Sequence, residues 1–143
     1  MLHPCFLNGG WLDTNVVLRF LVRDNEEMFS KASSLFARAE RGEILLLLHP
    51  ITVAEIIWTL ESFYGYDKSQ IVCVLRSFIE ADGIHVPEKE IIATSLTFYL
   101  DKNVDYVDAY LFAYASQSGS PTIYTFDKKH FMRLGIREEE SLL

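Results

Sequence analysis

The stretch that most constrains the fold is EILLLLHP, residues 43–50. Five apolar residues follow one another without a polar interruption, and a proline ends the segment. A continuous apolar run of this length is typical of a β-strand that is buried on both faces. Such strands belong to parallel sheets covered by helices, so we expect helices before and after this strand.

Apolar residues recur at helical spacing on both sides of this run. The predicted helices cover residues 15–22, 26–41, 53–64, 68–79, 88–101 and 105–118. Short apolar runs predict strands at residues 11–13, 44–49, 84–87 and 121–126. Strands that alternate with helices predict a mostly parallel sheet covered on both sides, so the fold class is α/β.

The chain has the length of one domain. Its 143 residues contain no internal repeat, low-complexity tract or linker that would divide them. We therefore expect a single domain over residues 1–143. Residues 1–10 are a possible N-terminal extension, in which Gly9 and Gly10 interrupt the apolar pattern of a first strand.

Charge and hydropathy exclude several classes of protein. The net charge of −7 argues against sequence-independent binding of nucleic acid through a basic face. No apolar run reaches the roughly 20 residues of a membrane helix, and the N-terminus lacks the features of a secretory signal. Cys5 and Cys73 are too few for a disulfide framework, so a cytoplasmic location is expected.

Five acidic residues lie near junctions between predicted strands and helices. They are Asp13, Glu55, Asp105, Asp108 and Asp127. In an open α/β sheet, ligands bind outside the carboxyl ends of the strands. We therefore expect these acids to gather at one edge of the sheet.

Each acid also has a structural explanation when it is taken singly. Thr52 and Glu55 fit a T-x-x-E capping box at the start of a helix. Asp105 fits an N-cap, and Asp108 fits a first-turn acid that the helix dipole favours. Asp127 can open a turn.

A gathering of carboxylates requires a compensating charge. Two like charges 4 Å apart repel by about 4 kcal/mol at an effective dielectric constant of about 20. A hard divalent cation such as Mg²⁺ or Mn²⁺ supplies that charge and takes oxygen ligands. Zinc is not expected, because the four histidines show no ligand spacing and are interpreted as structural or surface residues. They are His3, His49, His85 and His130.

Four blocks of sequence, in this order and spacing, resemble the PIN domain family of metal-dependent ribonucleases. The blocks are LDTNVVLRFLVRDN, VAEIIWTLESFYG, VDYVDAYLFAYA and IYTFDKKHF. The likeness covers residues 11–135 and is greatest to VapC-type toxins of toxin–antitoxin pairs. It implies a three-layer α/β/α sandwich around a mostly parallel sheet.

The resemblance implies a role for each candidate residue. The catalytic and metal-binding acids would be Asp13, Glu55, Asp108 and Asp127. Supporting roles would fall to Asn15, Asp105 and Thr125. One or two Mg²⁺ or Mn²⁺ ions would activate a water that cleaves an RNA phosphodiester, with no covalent enzyme intermediate. Glu61, six residues after Glu55, is interpreted as solvated.

The resemblance also implies partners. These are an RNA substrate, a second copy of the chain in a homodimer, and a small antitoxin that lies across the site. The excess of acidic over basic residues favours inhibition by an antitoxin Arg or Lys inserted among the carboxylates. The basic residues nearest in sequence to the acidic blocks are Arg19, Lys128, Lys129 and Arg133, each interpreted first as a surface residue.

Two other function classes remain open from the sequence. One is a PIN-like binding or scaffold module without turnover, against which the complete acid set counts. The other is an acidic phosphoacceptor domain of the receiver type. That class needs adjacent acids near the first strand and an essential lysine after the last strand. This chain has Asp13 alone at the first position, and its Lys128 and Lys129 follow directly on Asp127.

Overall fold

The computed structural model describes residues 8–137. The predictions that concern His3, Cys5 and most of the possible N-terminal extension lie outside the described residues, as do residues 138–143. The chain divides into two compact units, the first ending at Pro87 and the second beginning at Glu88. That the whole chain is a single domain stays a prediction.

The first unit contains a parallel sheet and four helices among the residues described. Its elements in order are β1 (Gly9–Trp11), α1 (Thr14–Val22), α2 (Glu26–Glu40), β2 (Leu45–Leu47), α3 (Pro50–Ser62), α4 (Lys68–Ile79) and β3 (Ile84–His85). Strand β2 lies between β1 and β3, and both pairings are parallel. The predicted parallel sheet is confirmed.

Strand β2 forms part of the core of the first unit. Leu46, Leu47 and Leu48 are buried, as the uninterrupted apolar run predicts. The apolar stripes of α3 and α4 are also buried, including Ile56 and Ile71. Each such side chain contributes roughly 1.5–3 kcal/mol through removal from water.

The first strand begins two residues earlier than predicted and includes the glycine pair. Gly9 pairs with Leu45 and Trp11 with Leu47. A Cβ at Gly9 would overlap the carbonyl oxygen of Leu45, whereas a Cβ at Gly10 would meet no atom within 4 Å among the described residues. The close approach of two backbones therefore requires glycine at position 9 and not at position 10.

The predicted capping box at Thr52 and Glu55 is wrong. Helix α3 begins at Pro50, and the Nδ1 of His49 accepts a hydrogen bond from the Ile51 amide at 3.0 Å. Proline has a φ suited to the first helical position and needs no amide partner there, so the helix starts three residues early. Glu55 therefore lies in the second turn and does not cap the helix.

The second unit contains three helices among the residues described. They are α5 (Lys89–Asp101), α6 (Tyr106–Ser118) and α7 (Lys128–Leu134). Helices α5 and α6 pack through aromatic pairs, with the Phe98 and Phe112 ring centroids 5.7 Å apart. The sequence prediction missed α7. No helix within residues 8–137 has the length and apolarity needed to cross a membrane.

The predicted strand at residues 121–126 is wrong. This segment forms no β-ladder within the described part of the chain. Pro121 lacks a backbone donor, and Ile123 is buried while Tyr124 and Phe126 are exposed. Both aromatic side chains of this apolar run therefore lie on the surface.

The glycine pair in β1 provides a matched test of strand packing. Gly9→Ala should lower the free energy of unfolding by about 1–3 kcal/mol, because the new methyl group displaces the β2 backbone. Gly10→Ala should be neutral or stabilise by roughly 0.5 kcal/mol, since alanine loses less backbone entropy on folding. Urea unfolding of both variants measures the difference, and equal effects would contradict the assigned close approach.

Candidate metal site

The acids of the second unit lie at the starts of two helices that pack together. Asp105 and Asp127 occupy the N-cap positions of α6 and α7, and Asp108 lies in the first turn of α6. His130 lies in the first turn of α7. The packing of α6 against α7 brings these four side chains to one place.

His130 lies among three carboxylates. Its Nδ1 is 2.9 Å from Asp108 Oδ2, 3.3 Å from Asp127 Oδ2 and 3.8 Å from Asp105 Oδ2. The His130 and Asp108 side chains are 22% and 23% exposed, while Asp127 and Asp105 are 53% and 72% exposed. A half-buried Asp108–His130 pair is therefore surrounded by two more accessible carboxylates.

Three of the candidate acids occupy N-cap positions without capping their helices. Within residues 8–137, Asp13, Asp105 and Asp127 hold N-cap positions without a side-chain hydrogen bond to their helix. In contrast, Asn25 accepts from the Met28 amide and Asp67 accepts from the Gln70 amide. A cap hydrogen bond typically contributes about 1 kcal/mol, so its absence at these three acids leaves their oxygens to other partners.

The donor set of the second unit fits a divalent metal ion. One carboxylate oxygen each from Asp105 and Asp108 and one ring nitrogen of His130 lie within 4.8 Å of one another. Carboxylate oxygens and an imidazole nitrogen are both metal ligands, and a cation among them would offset the repulsion between the acids.

The candidate acids of the first unit follow neighbouring strands. Asp13 comes two residues after β1, and α3, which carries Glu55, follows β2. Because β1 and β2 are parallel neighbours, both helices begin at the same edge of the sheet. Asp13, Asn15 and Glu55 are exposed there.

The sequence of the chain matches the family model of the PIN domain over residues 11–136. The chain belongs to the PIN domain family. It is also 22% identical over 126 residues to a VapC ribonuclease of Aquifex aeolicus (strain VF5), covering 88% of this chain and 92% of that relative. The resemblance predicted over residues 11–135 is confirmed, and the fold is the predicted PIN-like α/β fold.

Sequence reasoning missed His130 in this PIN domain. On sequence grounds this histidine is interpreted as a structural or surface residue, because no histidine pair has ligand spacing. Its signal was the three-residue spacing from Asp127, which brings two side chains to one helix face. That signal was hidden because the segment before it was predicted as a strand and α7 was not predicted.

Two of the basic residues near the acids have structural partners. The Arg19 guanidinium donates to both carboxylate oxygens of Asp24, at 2.9 and 2.8 Å. Asp24 also accepts from the Tyr64 hydroxyl, and the hydrogen bonds from these two residues, chiefly those from Arg19, lower the pKa of Asp24. Arg133 donates to the Asn103 carbonyl at 2.8 Å.

The Thr125 side chain forms a hydrogen bond with the backbone of Asp127. Its Oγ1 accepts a hydrogen bond from the Asp127 amide at 2.9 Å. This bond holds the turn immediately before α7, where Asp127 begins the helix. The threonine therefore orients the chain that carries the acid.

Removal of this hydroxyl should loosen the turn. Thr125→Val should lower the opening free energy of the Asp127 amide by about 0.5–1.5 kcal/mol, whereas Thr125→Ser should retain most of its protection. Amide hydrogen exchange followed by NMR measures this protection. Wild-type protection in the valine variant would contradict the role of the hydroxyl.

Proposed function

We propose that this PIN domain is a metal-dependent endoribonuclease of the VapC type. The observation that carries the proposal is the convergence of Asp105, Asp108 and Asp127 around His130. Membership of the PIN family and similarity to a protein named VapC ribonuclease support the reaction class.

The proposed metal ligands are Asp13, Glu55, Asp108 and Asp127, which hold one or two Mg²⁺ or Mn²⁺ ions. When bound, the metal offsets phosphate charge and activates a water for attack on the phosphodiester. Asn15 and Asp105 support the ligands as polar neighbours in sequence. Thr125 orients the Asp127 backbone through the hydrogen bond described above.

The negative charge of these acids affects how RNA can bind near them. The chain carries a net charge of −7, and bare carboxylates repel a phosphate. RNA binding close to these acids therefore requires that their charge first be offset. The Asp105 and Asp127 side chains are exposed, so a cation held beside them would be accessible to a phosphate from solvent.

Cleavage of total RNA by the purified chain tests the proposal. With Mg²⁺ or Mn²⁺ the wild type should produce discrete fragments, and EDTA should abolish them. Asp108→Asn should lower the cleavage rate by about 100-fold or more. Loss of a group that supports a metal ligand typically lowers activity by about 10–100-fold, and loss of the ligand itself should lower activity further. Asp101→Asn, an exposed acid on α5, is the matched control and should retain activity.

The same assay decides between the enzyme and the non-catalytic binding module. Circular dichroism verifies that each variant is folded. RNA binding without turnover by the wild type, in every metal and after separation from copurified protein, would overturn the nuclease and favour the binding module. Equal cleavage by the wild type and Asp108→Asn would show that the activity does not come from this site.

We further propose that the chain is a cytoplasmic toxin that acts as a homodimer and is inhibited by an antitoxin with a basic side chain among the carboxylates. Sedimentation velocity of the chain alone should give twice its mass. Coexpression with its antitoxin should abolish cleavage, and an alanine in place of the inserted Arg or Lys should restore it. A complex that leaves the carboxylates open to solvent would contradict this mode of inhibition.

A further inference from the structure

The proposed ligand set does not include the most central side chain of the second-unit cluster. His130 has one ring nitrogen facing oxygens of Asp105, Asp108 and Asp127. We infer that His130 Nδ1 is itself a ligand of the metal and makes this site prefer a first-row transition metal such as Mn²⁺ to Mg²⁺. The inference rests on the proposed function, because it concerns the metal of that site.

The distances around Nδ1 match the spacing of ligands on one ion. Ligand bonds of about 2.1 Å place adjacent atoms of an octahedral shell about 3 Å apart and opposite atoms about 4 Å apart. The distances from Nδ1 to Asp108 Oδ2 and Asp105 Oδ2, 2.9 and 3.8 Å, lie in or close to that range, and the ligand atoms of these three residues all lie within 4.8 Å of one another. A single N–H donates well to one carboxylate, so hydrogen bonding alone accounts for only the shortest distance.

The position of His130 on helix α7 also restricts the orientation of its ring nitrogen. His130 lies in the first turn of α7, three residues after Asp127. Its side chain is 22% exposed, so the ring is held between protein and solvent. Coordination requires the Nδ1 lone pair, and the ring hydrogen then lies on Nε2.

An imidazole ligand changes which metal the site prefers. Mg²⁺ is a hard ion that takes oxygen ligands and keeps several waters. Transition metals accept imidazole nitrogen together with carboxylate oxygen. A site with His130 as ligand should therefore bind Mn²⁺ more tightly than Mg²⁺, while an all-oxygen version should lose much of that difference.

Electron spin-echo spectroscopy of the Mn²⁺-loaded full chain tests the ligand directly. The wild type should show modulation from a coordinated nitrogen. His130→Asp should bind Mn²⁺ through oxygen and lose that modulation, while His85→Gln, at an exposed histidine on β3, should retain it. A wild-type spectrum without nitrogen coupling, or coupling that persists in His130→Asp, would overturn the inference.

A competition experiment separates a ligand from a positioning residue. Mg²⁺ is titrated against bound Mn²⁺, and the released Mn²⁺ is followed by electron paramagnetic resonance. His130→Asn places an amide near the Nδ1 position, so it can donate to Asp108 but is a poor metal ligand. The ratio of Mn²⁺ to Mg²⁺ affinity should fall by about 10-fold or more in His130→Asn. A wild-type ratio in this variant would show that His130 only positions Asp108.

The outcomes of these experiments distinguish a failure of the ligand assignment from a failure of the proposed function. Metal-dependent RNA cleavage without nitrogen coupling would overturn the ligand assignment and leave the nuclease standing. Nitrogen coupling in a chain that cleaves no RNA would support the ligand assignment and overturn the nuclease. If His130→Asp does not fold by circular dichroism, His130→Asn gives the decisive spectrum, because loss of the coordinated nitrogen is expected there too.

Discussion

The parallel pairing of β2 with two neighbours is the constraint on which the first unit depends. A strand that is hydrogen-bonded on both edges and buried through Leu46 and Leu47 needs neighbours and covering helices. Parallel strands start at one edge of the sheet and end at the other. The chain therefore enters α1 and α3 at the same edge, and this places Asp13 and the helix that carries Glu55 there.

In the second unit, charged side chains meet at the starts of α6 and α7. Asp105 and Asp127 hold capping positions but, within the described residues, make no cap hydrogen bond. The histidine between them offers one ring nitrogen to three carboxylates. Such an arrangement is suited to holding a cation.

The structure departs from the sequence prediction at the start of α3 and at residues 121–126. Both the predicted start of α3 and the predicted last strand came from local patterns. Pro50 and His49 begin the helix earlier, because a proline φ and an imidazole acceptor satisfy the helix start as well as a T-x-x-E box does. The last apolar run forms no ladder in residues 8–137, because hydrogen bonds between strands depend on a neighbour that propensity cannot specify.

The sequence by itself determined the α/β class, the parallel sheet, most helices and the family, because apolar periodicity and the spacing of acidic blocks are local properties of the chain. The proposed ligands Asp13, Glu55, Asp108 and Asp127 also came from sequence. Only the tertiary structure brought His130 to Asp108, 22 residues away, because that contact depends on how α7 packs against α6. Tertiary structure likewise distinguished acids that cap a helix from acids whose oxygens face other groups.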